Sequence, residues 1–440
     1  MKVKVHPAFR LEGKLQAQPS KNYTTRYLYA AALADGESVV ENIALSEDAR
    51  ALLQCLETLG AQFTFLNERT VQVRGFGRTP LSGQEINPGN AGTVLRLLLG
   101  ISVLTEQTSF TTDYTDSLGR RPNDDLLKAL SSLDIEYTAG TGGTLPLTIR
   151  GISKVLPENV ELTVSGEKSS QFLSSLLFLA PLLDRRVEIR VTGNLKSAPL
   201  IRQTLQVQRE AGISVDYYDS LTNFVIKKGQ SYQPGKFVVG GDHPGTAAIL
   251  GICCLVPSHV EISNLLNDEQ GEKNVIPALQ EMGADLDWKN GRVLVRGGKT
   301  LRGIQFNGDR ATDAVQALSA VTCVAEGTSR FYNVENLRYK ECDRISDWGK
   351  ELLKMGVPFR EEQDAFEITG NPAGYEGGMY FDSHQDHRVI MGLTLIGARC
   401  KKPIIIENAQ HIAKSYPDFF AHLQQLGARV EIIEDENIQE

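Results

Sequence analysis

One pattern returns six times along the 440 residues: an amphipathic helical stretch, a stop residue, then a short strand-like run. The copies are LLQCLETLGAQF (52–63), LLKALSSLDIEY (126–137), TLQVQREAGISVDY (204–217), VIPALQEMGADLDW (275–288), ELLKMGVPF (351–359) and FAHLQQLGARVEI (420–432). The stop residues stand at 60, 134, 212, 283, 356 and 427, so successive copies are 74, 78, 71, 73 and 71 residues apart. Five of them are glycine, which takes the left-handed position after a helix without a Cβ penalty, and Asp134 is a tolerable substitute.

A second helical pattern alternates with the first, at 24–35, 91–105, 170–183, 246–256, 313–325 and 388–400. It is Ala, Leu, Ile and Val nearly all round, as expected of a helix buried on most sides. Short β-rich runs such as VQVRGF (71–76) and VLVRGG (293–298) lie between. The unit is therefore about 70 residues of strands and two helices, an α/β (α+β) class. Because single cores stop growing near about 250–300 residues, six units predict two domains of three repeats each. The polar, Pro/Gly-containing stretch 229–236 marks one crossing and 18–21 a second. The expected domains are 20–232, and 1–19 plus 233–440.

Apolar residues are 41% and charged residues 23%, which excludes a disordered chain. The 46 Lys+Arg against 54 Asp+Glu, net −8, exclude an all-basic nucleic-acid or membrane surface but allow a local basic pocket; the tail 431–440 adds to the acidity. The six cysteines are scattered, with no Cys-x-x-Cys pair, and read as small buried hydrophobes in a reducing compartment. The N-terminal sequence has no apolar leader, and the longest apolar stretch, 172–183, is too short to span a bilayer, so a cytoplasmic location is expected.

Function is written at the starts of the buried helices. These read Ser20-Lys21-Asn22 with Arg26, Gly89-Asn90-Ala91-Gly92-Thr93 with Arg96, Lys168-Ser169-Ser170-Gln171, Asp242-His243-Pro244-Gly245, Thr312-Asp313 and Asp386-His387-Arg388. A helix N-terminus exposes unpaired N–H groups and about half a positive charge, so it suits an anion. Ser, Asn, Asp and Thr there serve as caps in any protein, but capping does not call for cations. Arg96, one turn inside an apolar helix, is expected to need an anionic partner. With Arg120, Arg121, Lys168, Arg338, Lys340, Arg344 and Lys414, these residues predict an interdomain cleft for a small, multiply charged anion. No Walker loop is present, and Gly140-Thr-Gly-Gly143 reads as a turn.

In order along the chain, Lys21 to Arg26, Asn90-Ala-Gly-Thr-x-x-Arg96, Arg121-Pro122, Ser169-Ser-Gln-Phe-Leu173, Asp313, Lys340-Glu-x-Asp-Arg344, Asp386-His-Arg388 and Lys414-x-x-Pro-Asp418 resemble the enolpyruvyl transferase family. The resemblance covers nearly the whole chain. It implies a two-domain, inside-out barrel-like fold of six βαβαββ-type units, three per domain, with acceptor phosphate handled by 20–232 and the catalytic carboxylates and phosphoenolpyruvate by the discontinuous domain. It implies transfer of the carboxyvinyl group of phosphoenolpyruvate to the 5-hydroxyl of shikimate 3-phosphate, with release of phosphate, on the route to chorismate and aromatic amino acids. It also implies that the phosphoenolpyruvate site is the target of glyphosate. No metal or organic cofactor, nucleic acid or membrane partner is implied, and a monomer is expected.

Residue by residue, the resemblance assigns shikimate 3-phosphate to Lys21, Asn22, Arg26, Ser169, Ser170, Gln171, Ser197, Asp313, Asn336 and Lys340. Phosphoenolpyruvate falls to Lys21, Gly92, Arg121, Gln171, Arg344, Arg388 and Lys414. Glu341 is the candidate acid toward the methylene carbon and Asp313 the candidate base on the hydroxyl, assisted by Lys21 and Lys340. Three departures touch the acceptor side: Asn22 stands where the family has serine, Ala198-Pro199-Leu200 follows Ser197 in place of an aromatic or basic residue, and Asp242-His243-Pro244 replaces a serine-rich start. The competing readings are transfer to UDP-N-acetylglucosamine, against which residues 113–120 lack a cysteine; transfer to another phosphorylated cyclitol; and a binding protein without catalysis.

Overall fold

A computed structural model of the chain describes residues 1–433; residues 434–440, most of the acidic tail 431–440, lie outside the described residues. Helices follow one another in pairs: α1 (Lys21–Ala32) and α2 (Glu47–Thr58), α3 (Gly92–Ile101) and α4 (Asp124–Ser131), α5 (Ser170–Leu179) and α6 (Ala198–Glu210), α7 (His243–Leu255) and α8 (Val275–Glu281), α9 (Val315–Thr322) and α10 (Ser346–Met355), α11 (His387–Gly397) and α12 (Phe419–Gln425). The first of each pair is buried along its length, whereas the second buries one stripe. All six stop residues have positive φ, from +58° at Asp134 to +108° at Gly60, so the period in the sequence is a period of left-handed helix ends.

Each repeat carries a four-stranded sheet with one parallel pair and two antiparallel steps. Gln84–Ile86 lies parallel to Thr108–Phe110, which is antiparallel to Leu147–Arg150, itself antiparallel to Glu136–Ala139. The alternating burial of Leu147–Arg150 is the period-2 pattern of a sheet with one face on the core.

The chain forms two compact units, Pro19–Gly240, and Met1–Gln18 with Gly241–Glu440. The chain therefore passes between the units between Gln18 and Pro19, and again after Gly240, a few residues beyond the Pro/Gly stretch 229–236. The reason is strand pairing: Lys236–Val238 runs parallel to Glu37–Glu41, opening the first sheet of the Pro19–Gly240 unit. In return Leu11–Gln16 runs parallel to Ser258–Ser263 and opens a sheet of the other unit. Lys2–Val5 sits between Ile404–Glu407 and Val430–Ile433, so the first strand of the chain completes the last repeat.

The buried helices of each unit pack on one another. In Pro19–Gly240 the Tyr29 hydroxyl of α1 donates to Leu97 O of α3 at 2.7 Å, and its ring meets Phe178 of α5 edge-on at 5.0 Å. Ser175 Oγ of α5 donates to Arg96 O at 2.6 Å, and a Cβ on Gly100 would lie 2.4 Å from that hydroxyl, so glycine is what permits this approach. In the other unit α7, α9 and α11 pack together, and Trp348 donates its indole N–H to Ser319 Oγ of α9 at 3.0 Å. No helix among the described residues is long and apolar enough to cross a membrane.

Candidate active site

In Pro19–Gly240 the site residues stand at helix heads. Ser20 caps α1, its Oγ accepting from Tyr23 N, so Lys21 and Asn22 open the first turn. Lys21 Nζ lies 3.0 Å from Asp48 Oδ2, on the first turn of α2, in a pair that is mostly buried. Arg26, one turn on, is buried; its Nε donates to Thr204 Oγ1, Nη1 to Asn22 O and Nη2 to Leu200 O. Gly92 is the first residue of α3, and Arg121 follows the 3-10 turn Leu118–Arg120, its Nη2 3.5 Å from Ser117 Oγ. Ser169 caps α5, whose first residues are Ser170 and Gln171, and Ser197 takes a left-handed conformation (φ +55°) to cap α6.

Arg96 joins two helix heads. Its Nε donates to Asn123 Oδ1 (3.3 Å), Nη1 to Gln171 Oε1 (2.6 Å) and Nη2 to Pro122 O (3.2 Å), and its guanidinium lies 4.9 Å from the centre of the Phe172 ring. These acceptors are neutral, and the aromatic face adds a cation–π contact to the buried guanidinium. Gln171 in turn donates to Thr93 Oγ1 at 2.8 Å, so Arg96 and Gln171 tie the head of α5 to the head of α3. Lys168 pairs with Asp124 and Asp125, Arg120 with Asp116, and Arg338 with Asp343 and Glu361, so these three cations are engaged by nearby carboxylates.

In the other unit one guanidinium organises the chemistry. Arg344, 1% exposed, gives Nε to Asp386 Oδ2 (2.7 Å) and Nη2 to both Asp386 Oδ1 (3.2 Å) and Glu341 Oε2 (2.8 Å), while Nη1 lies 3.4 Å from Asp313 Oδ1. Burial works against its charge, but Asp386, Glu341 and Asp313 outweigh that and hold it more firmly protonated than an ordinary arginine. Lys414, also buried, closes the 3-10 turn Ala409–Lys414 and places Nζ 3.5 Å from Glu341 Oε1. Asp386 is the cap of α11, accepting from Arg388 N at 2.7 Å, and Arg388 is buried in the first turn. Asp313 stands in the 3-10 turn Thr312–Ala314 ahead of α9; Asn336 is buried in the turn Glu335–Tyr339, and Lys340 follows it.

The two candidate carboxylates, Asp313 and Glu341, thus share Arg344. Asp386 has no role in the sequence beyond the Asp386-His387-Arg388 triplet, and Asp48, beside Lys21, and Glu272, beside Asp313, are not singled out there at all. Their signal is positional only, since an acid in a first turn is favoured by the helix dipole whatever it pairs with. Cys342 is half-buried beside Asp386; burial first, and then that carboxylate, push its thiol well above the usual range, which favours the thiol over the thiolate.

The chain matches the model of the family described as EPSP synthase (3-phosphoshikimate 1-carboxyvinyltransferase) over residues 5–436. It is 49% identical over 431 residues to a 3-phosphoshikimate 1-carboxyvinyltransferase of Deinococcus radiodurans, covering 98% of this chain and 97% of that one. It is 38% identical over 432 residues to a protein of the same name from Burkholderia pseudomallei, covering 98% and 95%. A solved structure of EPSP synthase from Acinetobacter baumannii, 23% identical, superposes with a TM-score of 0.81 over 98% of this chain and 100% of that chain, which shows the fold. On these grounds the chain belongs to the EPSP synthase (3-phosphoshikimate 1-carboxyvinyltransferase) family, with its α/β enolpyruvyl transferase fold.

Proposed function

We propose that the chain transfers the enolpyruvyl group of phosphoenolpyruvate to the 5-hydroxyl of shikimate 3-phosphate. The observation that carries the residue assignment is Arg344, buried and within 3.4 Å of Asp313, Glu341 and Asp386. Asp313 accepts the hydroxyl proton as the oxygen attacks C2 of phosphoenolpyruvate, and Glu341 delivers a proton to the C3 methylene, giving a tetrahedral intermediate. Loss of a proton from the new methyl group and departure of phosphate restore the vinyl group on the acceptor oxygen. An anion taken up by Arg344 and Lys414 competes with Glu341 for those two cations, which favours the protonated carboxyl that an acid needs.

Arg388 belongs with Arg344 and Lys414 on phosphoenolpyruvate, as do Lys21, Gly92, Arg121 and Gln171 of the other unit. Ser169, Ser170, Gln171, Ser197, Asn22, Arg26, Asn336 and Lys340 are assigned to shikimate 3-phosphate, and Lys21 and Lys340 also stabilise developing charge. These assignments rest on the positions at helix heads and on the family. Incubation with phosphoenolpyruvate and either shikimate 3-phosphate or UDP-N-acetylglucosamine tests the reading. Phosphate release is expected with the first acceptor alone, and release with neither would overturn it.

A further inference from the structure

Glu272 takes no part in the steps above, yet it is built against one of their reactive groups. It lies in the 3-10 turn Gly271–Asn274, packed against the turn Thr312–Ala314, and is 4% exposed. Its Oε1 accepts the backbone N–H of Asp313 at 3.1 Å. Its Oε2 is buried with no hydrogen-bond partner among the described residues. A buried carboxylate oxygen left so is costly as an anion and inexpensive as an acid.

We propose that Glu272 is a positioning residue for Asp313, fixing its backbone through the N–H bond and setting, by its own charge, how strongly Asp313 takes up the proton of the acceptor hydroxyl. This rests on the reading of Asp313 as the base. Burial first and the charge of Asp313 second push the Glu272 carboxyl up to about 7, with Arg388 pulling the other way. The other charged or titratable groups on the elements around it are Asp309 and Arg310 of the neighbouring 3-10 turn, Asp242 and His243 at the head of α7 with the thiols Cys253 and Cys254 near its far end, Lys273 in its own turn, and Glu281 in α8. Ionised Glu272 makes Asp313 a stronger base, protonated Glu272 a weaker one, so the two carboxyls titrate as a pair.

The test is the pH dependence of kcat with phosphoenolpyruvate and saturating shikimate 3-phosphate. Wild type should gain about 5- to 10-fold as the pH rises from 6 to 8.5, with an inflection near 7. Glu272→Gln keeps an acceptor for the Asp313 N–H but never ionises. It should match wild type at pH 6, fall about 5- to 10-fold below it at pH 8.5, and leave KM for shikimate 3-phosphate within about twofold. A wild-type profile without that inflection, or a variant loss equal at both pH values, overturns the proposal. Should Glu272→Gln fail to fold, infrared difference spectra of the wild-type chain labelled with [5-13C]glutamate decide: a labelled protonated-carboxyl band lost near pH 7 supports it, and no such band overturns it. Wild-type protein inert toward both substrates would sink the functional reading instead, while the infrared titration would still report on Glu272.

Discussion

A methyl group on Gly92 would stand 2.7 Å from Nη1 of Arg121. The clash is with the far end of a flexible side chain, so the guanidinium, rather than the backbone, gives way. Gly92→Ala is therefore expected to fold with stability within about 0.5 kcal/mol of wild type. It should raise KM for phosphoenolpyruvate by about 10-fold, equivalent to about 1.4 kcal/mol, and weaken inhibition by glyphosate. Steady-state kinetics with and without the inhibitor check this, and unchanged inhibition would remove Gly92 and Arg121 from the phosphoenolpyruvate site.

Glu341 and Asp313 share Arg344, but the account gives them different protons. Glu341→Gln and Asp313→Ala should each lose about 100-fold or more in kcat. Calorimetry should still detect binding of shikimate 3-phosphate to both. Wild-type rates in either variant would end that residue's catalytic assignment.

Asp386 is fully buried and accepts two hydrogen bonds from Arg344, one at 2.7 Å. Truncating one partner of such a pair leaves a buried charge short of its compensation, at a cost of about 3–5 kcal/mol. Asp386→Ala should show that loss in urea or thermal unfolding. Glu431→Ala, which breaks the exposed pair with Arg429 and the contact with His6, should change stability far less. Equal effects would mean that the Arg344 cluster does not anchor the fold.

His384 offers a pH signature. Its hydrogen bond to Glu351 at 3.3 Å, on α10, raises its pKa above the ordinary histidine value, against the opposing effect of burial. A raised folded-state pKa stabilises the fold fully below the unfolded value of about 6.5, and that contribution disappears as the pH rises through the folded value. The stability lost in His384→Gln should therefore be larger at pH 5.5 than at pH 8.5, by less than about 1 kcal/mol. A pH-independent difference would dissociate the shift from folding.

The repeat was legible because its signals are local: a stop residue with positive φ, an apolar helix, and an amphipathic helix at a fixed distance all leave their mark within a dozen residues. The long-range pairing that opens the first sheet of Pro19–Gly240 was not, because Lys236–Val238 is three residues long and its partner Glu37–Glu41 lies far away in the chain. At the site, the helix-head residues were named from sequence, but their partners were not. Arg96 could be seen as a buried cation, while Asn123, Gln171 and the Phe172 ring come to it only through packing of separate segments. Glu272 reaches Asp313 by the same kind of long-range approach, which no local pattern encodes.

The most direct test is the product itself. After incubation with phosphoenolpyruvate and shikimate 3-phosphate, proton and phosphorus NMR should show the vinyl protons of an enolpyruvyl ether on the 5-oxygen and one equivalent of inorganic phosphate. An ether formed only with UDP-N-acetylglucosamine, or no ether with either acceptor, would contradict the account.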